Sequence, residues 1–228
     1  MDDDNLIPSE AIIIGTVIWS STMIPILPCG FRIFLGFMVV AVILLMYWFY
    51  RSPPVDKSKY SSLAASTLVS AAYGTVEEID RVDPATVEKN YGSIVKKDCC
   101  QNDASYTRVK IFLSPLDVHV QCAPISASTS NTYHAGSFYP AGWLEKSEFN
   151  ERNITKFEGE DTIFVVLIAG LLARRIKILK QGMLERGDKY AMIKLGSRVD
   201  MIFPSSYTVH VRPGDYVTAG ETIIATKE

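Results

Sequence analysis

The sequence predicts an α+β protein, a mostly β domain behind an N-terminal helical membrane anchor. Three observations predict it. An apolar run extends from Ala11 to Tyr50, with Arg32 as its only charge. Beyond it, stretches such as Tyr106–Leu113 and Val199–Phe203 alternate with the two-residue period of a strand. Turn signals such as Pro213-Gly214-Asp215 and Ala219-Gly220 punctuate those stretches.

The apolar run exceeds the roughly 20 residues that one transmembrane helix needs. Pro25, Pro28, Gly30 and Arg32 interrupt it. The expectation is one or two apolar helices, the two-helix form being Ala11–Leu27 and Ile33–Tyr50. The acidic start, Asp2-Asp3-Asp4, lacks the positive region of a cleaved signal peptide. Arg51, Lys57 and Lys59 follow the run, which by the positive-inside rule puts the remainder of the chain in the cytoplasm. Tyr47, Trp48 and Tyr50 would sit at the interface. The expected division is an anchor over 1–52, a linker over 53–67 and a β-rich domain over 68–228.

The chain has 228 residues, and 23 basic against 25 acidic residues give a net charge of −2. No basic field therefore points to nucleic acid. Cys29, Cys99, Cys100 and Cys122 show no CxxC spacing, so neither a zinc site nor a disulfide framework is indicated. No metal is expected.

In the β region, Gly74 marks a turn before a strand at Thr75–Ile79. Tyr106–Leu113 reads as half-buried, with Val109, Ile111 and Leu113 set against Arg108 and Lys110. Next come Asp117 and His119. Two residues apart on a strand, they would share one face, where a carboxylate and an imidazole can pass a proton. His134 reads as a loop residue without such a role. Thr162–Ile168 is a continuous apolar run of strand length.

Near the C-terminus lies Tyr190-Ala191-Met192-Ile193-Lys194-Leu195-Gly196-Ser197-Arg198-Val199-Asp200. An isolated Gly-Ser pair is ordinarily a turn. A serine beside a flexible glycine carbonyl can also attack it. Its Oγ then forms an ester with the Gly196 carbonyl as the peptide C–N bond breaks. Elimination expels the Gly196 carboxylate and leaves dehydroalanine. Water converts that into a pyruvoyl group and releases ammonia.

This stretch, with Phe203-Pro204 after it, resembles the processing site of the short-form pyruvoyl-dependent phosphatidylserine decarboxylases. Ser114-Pro115-Leu116-Asp117-Val118-His119-Val120-Gln121-Cys122-Ala123-Pro124 is similar to that family's SPLDVHVNRAP. Phe149-Asn150-Glu151-Arg152-Asn153 resembles its NERN element, and Ile168–Ile176 its IAGLLARRI. The chain departs from the pattern at Ala71 and Tyr73, where the family carries proline and aspartate.

The resemblance implies a zymogen of lipid metabolism that cuts itself between Gly196 and Ser197. It implies pyruvate as prosthetic group, made from Ser197, whose ketone forms a Schiff base with the substrate amine. The implied reaction turns phosphatidylserine into phosphatidylethanolamine. His119 would transfer protons, Asp117 would orient it, and Phe138, Arg174 and Arg175 would meet the phospholipid. The implied partners are the membrane and the two cleaved chains, with assembly into a homo-oligomer left open. An ether-linked archaeal serine lipid is the alternative substrate. The C-terminal stretch VxxGDxVxAGExI is also similar to lipoyl and biotinyl carrier domains, which offers a non-catalytic carrier or interaction module as a second reading.

Overall fold

The computed structural model describes residues 16, 28–83, 105–137, 149–170, 176–193 and 197–227. They fall into two units, Met1–Pro53 and Pro54–Glu228.

The first unit carries one helix, α1, Cys29–Phe49. Pro28 stands at its N-cap with φ of −54° and an extended ψ of 143°, and its carbonyl accepts from Arg32 N at 3.2 Å. Gly30 and Arg32 therefore lie in the first turn rather than in a break. The physical reason is that proline ends a helix behind it but suits a helix start. The helix is apolar all round and mostly exposed, and it is long enough to cross a membrane. The segment expected as the earlier span, 11–27, lies outside the described residues except for Thr16.

The second unit is β-rich. A 3-10 helix, Lys57–Ser62, opens it, capped by Asp56 accepting from Ser58 N at 3.1 Å. The strands are β1 Leu68–Val69, β2 Gly74–Val82, β3 Tyr106–Leu113, β4 Val120–Cys122 and β5 Ala127–His134. They continue with β6 Arg152–Glu158, β7 Thr162–Ala169, β8 Ile176–Ile178, β9 Gly182–Leu184 and β10 Lys189–Ile193. Last come β11 Ser197–Pro204, β12 Thr208–Val209, β13 Tyr216–Val217 and β14 Ile223–Thr226. An eight-stranded sheet runs β13-β2-β3-β11-β7-β6-β5-β9, and two three-stranded sheets run β1-β14-β12 and β4-β10-β8.

Alternation assigns each face. Val109, Ile111, Leu113, Val199, Met201, Phe203, Val165 and Leu167 enter the main core, which residues of both small sheets also join. Phe164, Val166, Ile168 and Ile202 enter a second cluster on the opposite face. β7 is thus buried on both sides, which is why its sequence is an unbroken apolar run. Arg108 and Lys110 also differ from the half-buried expectation. Both are buried, and each is ion-paired with β2, Arg108 to Asp80 and Lys110 to Glu78 at 2.6 Å. The second face is covered, so its charges are neutralised in pairs. His134 ends a strand instead of lying in a loop. Burial, with the Arg152 charge after it, lowers its pKa.

Residues 57–66 are bound along the domain. Lys57 pairs with Asp188 and Glu185, and Tyr60 OH donates to Gly220 O. Arg186, buried, donates to the carbonyls of Ala64 and Ala65, each at 2.8 Å.

Gly74, the first residue of β2, packs against the Phe112 backbone of β3. Its φ is +153°, and a Cβ built there would overlap the backbone carbonyl of Phe112. Gly74→Ala is therefore expected to destabilise the domain by about 2–4 kcal/mol. Chemical unfolding of the purified protein measures it, and an unchanged midpoint would show that the two strands can separate at no cost.

Candidate functional site

The site is built around β11. Ser197 is its first residue and pairs with Leu113 of β3 on one side and Ala169 of β7 on the other. The backbone of the serine is therefore held between two ladders at the end of a central strand. Gly196 lies outside the described residues, as do Phe138, Arg174 and Arg175.

His119 reaches the same connection from another sheet. β4 pairs with β10 in the register Val120↔Met192, and the ladder extends one step to His119, whose carbonyl accepts from Ile193 N at 3.0 Å. Ser197 follows Ile193 by four positions. The sheet order thus draws the histidine to the segment that leads into the serine, although the two lie far apart in sequence.

The imidazole is fully buried. Its Nδ1 lies 2.8 Å from the main-chain carbonyl of Asp117. A carbonyl only accepts, so Nδ1 carries the proton, and Nε2 is the basic nitrogen of the neutral ring. Asp117 does hold the ring, but through its backbone rather than its carboxylate. The shared strand face expected from the sequence is absent, because 115–117 form a turn and β4 begins only at Val120. The Asp117 carboxylate closes that turn, accepting from Ser114 N at 2.8 Å, and it also accepts from Tyr216 OH at 2.9 Å. Tyr216 escaped the sequence reading. Its partner is 99 positions away, and its own surroundings read as a turn between short strands.

Tyr73 lies in the bend before β2 and is buried. Burial, followed by the nearby Cys122 thiol, raises its pKa. The phenol is neutral across the physiological range and brings no carboxylate-like charge to the site. Cys122 is buried too, and burial pushes its thiol up to about 12. It behaves as a small core hydrophobe. Asn150 and Glu151 are buried at the same end of the large sheet. Asn150 Nδ2 donates to Ala169 O at 2.7 Å, and the Glu151 carbonyl accepts from Ala169 N at 2.9 Å. Glu151 therefore continues the row that runs through Leu113, Ser197 and Ala169. Among the described residues no group of three or more histidine, cysteine or acidic side chains could hold a metal.

Directly after Ser197, Arg198 and Asp200 form an ion pair with both side chains fully buried. Arg198 Nη2 donates to Oδ2 at 3.0 Å, and Nε lies 2.8 Å from Oδ1. Two residues apart on one strand, they share the second face of the sheet.

Comparison with known proteins gives a consistent result. A family model described as phosphatidylserine decarboxylase matches residues 42–225. A Methanocaldococcus jannaschii protein, named provisionally as an archaetidylserine decarboxylase proenzyme, is 36% identical over 204 residues, covering 86% of this chain and 97% of that protein. A phosphatidylserine decarboxylase proenzyme of Nitratidesulfovibrio vulgaris is 37% identical over 201 residues, 85% of each chain. One of Saccharopolyspora erythraea is 37% identical over 183 residues, 78% of this chain and 71% of that protein. No solved structure matches.

The Arg198–Asp200 pair yields a test. Removing one member breaks a fully buried ion pair and is expected to cost about 3–5 kcal/mol, while replacing both with apolar residues of similar volume costs far less. Asp200→Asn should therefore unfold at much lower urea than Arg198→Met/Asp200→Leu. Equal losses in the two variants would show that the charges are not coupled.

Proposed function

We propose, for a chain that belongs to the phosphatidylserine decarboxylase family, a pyruvoyl-dependent carboxy-lyase that converts phosphatidylserine to phosphatidylethanolamine after cutting itself between Gly196 and Ser197. The observation that carries the reading is a serine at the head of a doubly paired central strand, with a buried histidine tied to the segment leading into it.

Ser197 is the nucleophile of maturation, acting on the Gly196 carbonyl. The cut divides the chain into 1–196 and 197–228. The smaller piece keeps β11 bonded to β3 and β7, and β13 and β14 remain paired with β2 and β1 of the larger piece. The two pieces therefore stay together as one folded unit.

The residues present suit a pyruvoyl at position 197. It would stand at a chain start fixed on both sides, four residues after Ile193, whose N–H donates to the His119 carbonyl. Such a group supplies a ketone for the substrate amine and a sink for the electrons released with CO2. His119, its Nδ1 occupied by Asp117 O, holds a basic Nε2 suited to moving a proton. Asp117 positions the ring through its carbonyl and the turn through its carboxylate. Phe138, Arg174 and Arg175 remain proposed contacts to the phospholipid, guanidinium groups being well suited to phosphate.

The anchor is proposed as α1 together with the preceding apolar segment. It keeps the domain at the cell membrane facing the cytoplasm, the side indicated by Arg51, Lys57 and Lys59. A substrate that never leaves the bilayer is then met there. The coverage of nearly all of the M. jannaschii protein supports a second substrate reading, an ether-linked serine lipid with the same headgroup.

Two outcomes test these proposals. Intact mass of the purified protein should reveal two pieces, the smaller being 197–228 with ammonia lost from its first residue. Ser197→Ala should stay whole and release no CO2 from phosphatidylserine or its ether analogue. A wild-type chain that remains uncut and inactive on both lipids would sink the reading. For topology, carbonate washing should leave the protein in the membrane, and protease should reach the domain only from the cytoplasmic side. Release by carbonate would reduce the anchor to peripheral attachment.

A further inference from the structure

Gln121 stands out among the buried polar residues. It is fully buried, and neither its amide oxygen nor its amide nitrogen has a hydrogen-bond partner among the described residues. A buried amide without partners costs stability that an apolar residue of the same size would not. Its position is specific. Gln121 pairs with Ala191 on β10, and the ladder runs on through Val120↔Met192 to the bond between Ile193 N and His119 O. By alternation Gln121 and His119 project from the same face of the small sheet. That face also carries Ile176, Ile178, Ala191 and Ile193, all of which join the main core. A primary amide sits in an otherwise apolar layer, one strand repeat from the buried histidine.

We propose that Gln121 reads the headgroup of the substrate. An amide offers a donor and an acceptor side by side, which suits an α-amino acid. Nε2–H donates to the serine carboxylate, and Oε1 accepts from the serine ammonium. An ethanolamine headgroup lacks the carboxylate and can use only the second bond. The proposal rests on the decarboxylase reading and adds the residue that would separate substrate from product. No bond is made or broken by Gln121 itself. It is a binding residue beside the proton-transferring one.

The test uses the mature protein with glycerophosphoserine and glycerophosphoethanolamine as soluble competitors. Gln121→Met keeps the volume and removes the amide. It should raise KM for phosphatidylserine by about 10- to 100-fold, the loss expected for hydrogen bonds to charged groups, with a much smaller effect on kcat. Inhibition by glycerophosphoserine should weaken by a similar factor, while inhibition by glycerophosphoethanolamine changes far less. The Tm should equal or exceed that of the wild type. Gln121→Asn should recover part of the discrimination. If Gln121→Met fails to mature, the side-chain amide of Gln121 in the wild type provides the readout. Its resonance, assigned by its loss in Gln121→Asn, should shift with glycerophosphoserine and far less with glycerophosphoethanolamine. Unchanged KM and unchanged discrimination overturn the proposal, as does an amide resonance indifferent to both competitors. A parallel fall in Tm and kcat with discrimination intact would make Gln121 structural and equally overturn it. A wild type that decarboxylates no serine lipid overturns the functional reading instead, so the two failures are distinguishable.

Discussion

The structure depends on the double pairing of β11. A strand bonded on both sides has almost no freedom to shift, because any movement breaks two ladders at once. The serine at its head is therefore fixed in the backbone, and residues 194–196 connect it to β10. That connection is short. Its near end, Ile193, is bonded to His119 and so to a different sheet. Ser197 and His119 thus belong to segments bonded into two different sheets.

The same strand explains why so much charge is buried on the second face. Arg108, Lys110, Arg198 and Asp200 would each be costly alone in a covered layer. They are arranged in pairs, with Asp80 and Glu78 on β2 completing the set. Such pairs seldom add net stability over apolar packing, but a mispaired register would strand a charge. The arrangement therefore favours one alignment of β2, β3 and β11, and that alignment puts Ser197 opposite Leu113 and Ala169.

The group that meets Nδ1 of His119 is a neutral one. A main-chain carbonyl sets the tautomer of His119, and Tyr73, a buried phenol, stands where the resembled family has an aspartate. A carbonyl fixes ring orientation without adding a negative charge. The carboxylate of Asp117 instead organises the turn and reaches across to Tyr216. That last bond joins residues on opposite sides of the proposed cut, so the turn carrying the histidine is tied to both pieces of the chain.

The sequence by itself determined the elements whose signals are local. The apolar stretch of α1, the alternation of β3, the continuous run of β7 and the strand that begins at Ser197 all follow from residues within one element, where period and composition suffice. The same holds for the turns at Gly214 and Gly220, which need backbone angles that other residues resist. What brings elements together was decided by tertiary structure. Alternation cannot tell a solvated face from a second covered one, so Arg108 and Lys110 read as exposed. A spacing of two suggested a shared strand face for Asp117 and His119, but the turn at 115–117 redirected the carboxylate to Tyr216 and left the carbonyl to hold the ring. That Gln121 has no hydrogen-bond partner among the described residues was likewise invisible, because an amide looks ordinary in sequence until its neighbours are placed. Hydrogen-bond partners across sheets depend on register and packing, and no local pattern encodes them.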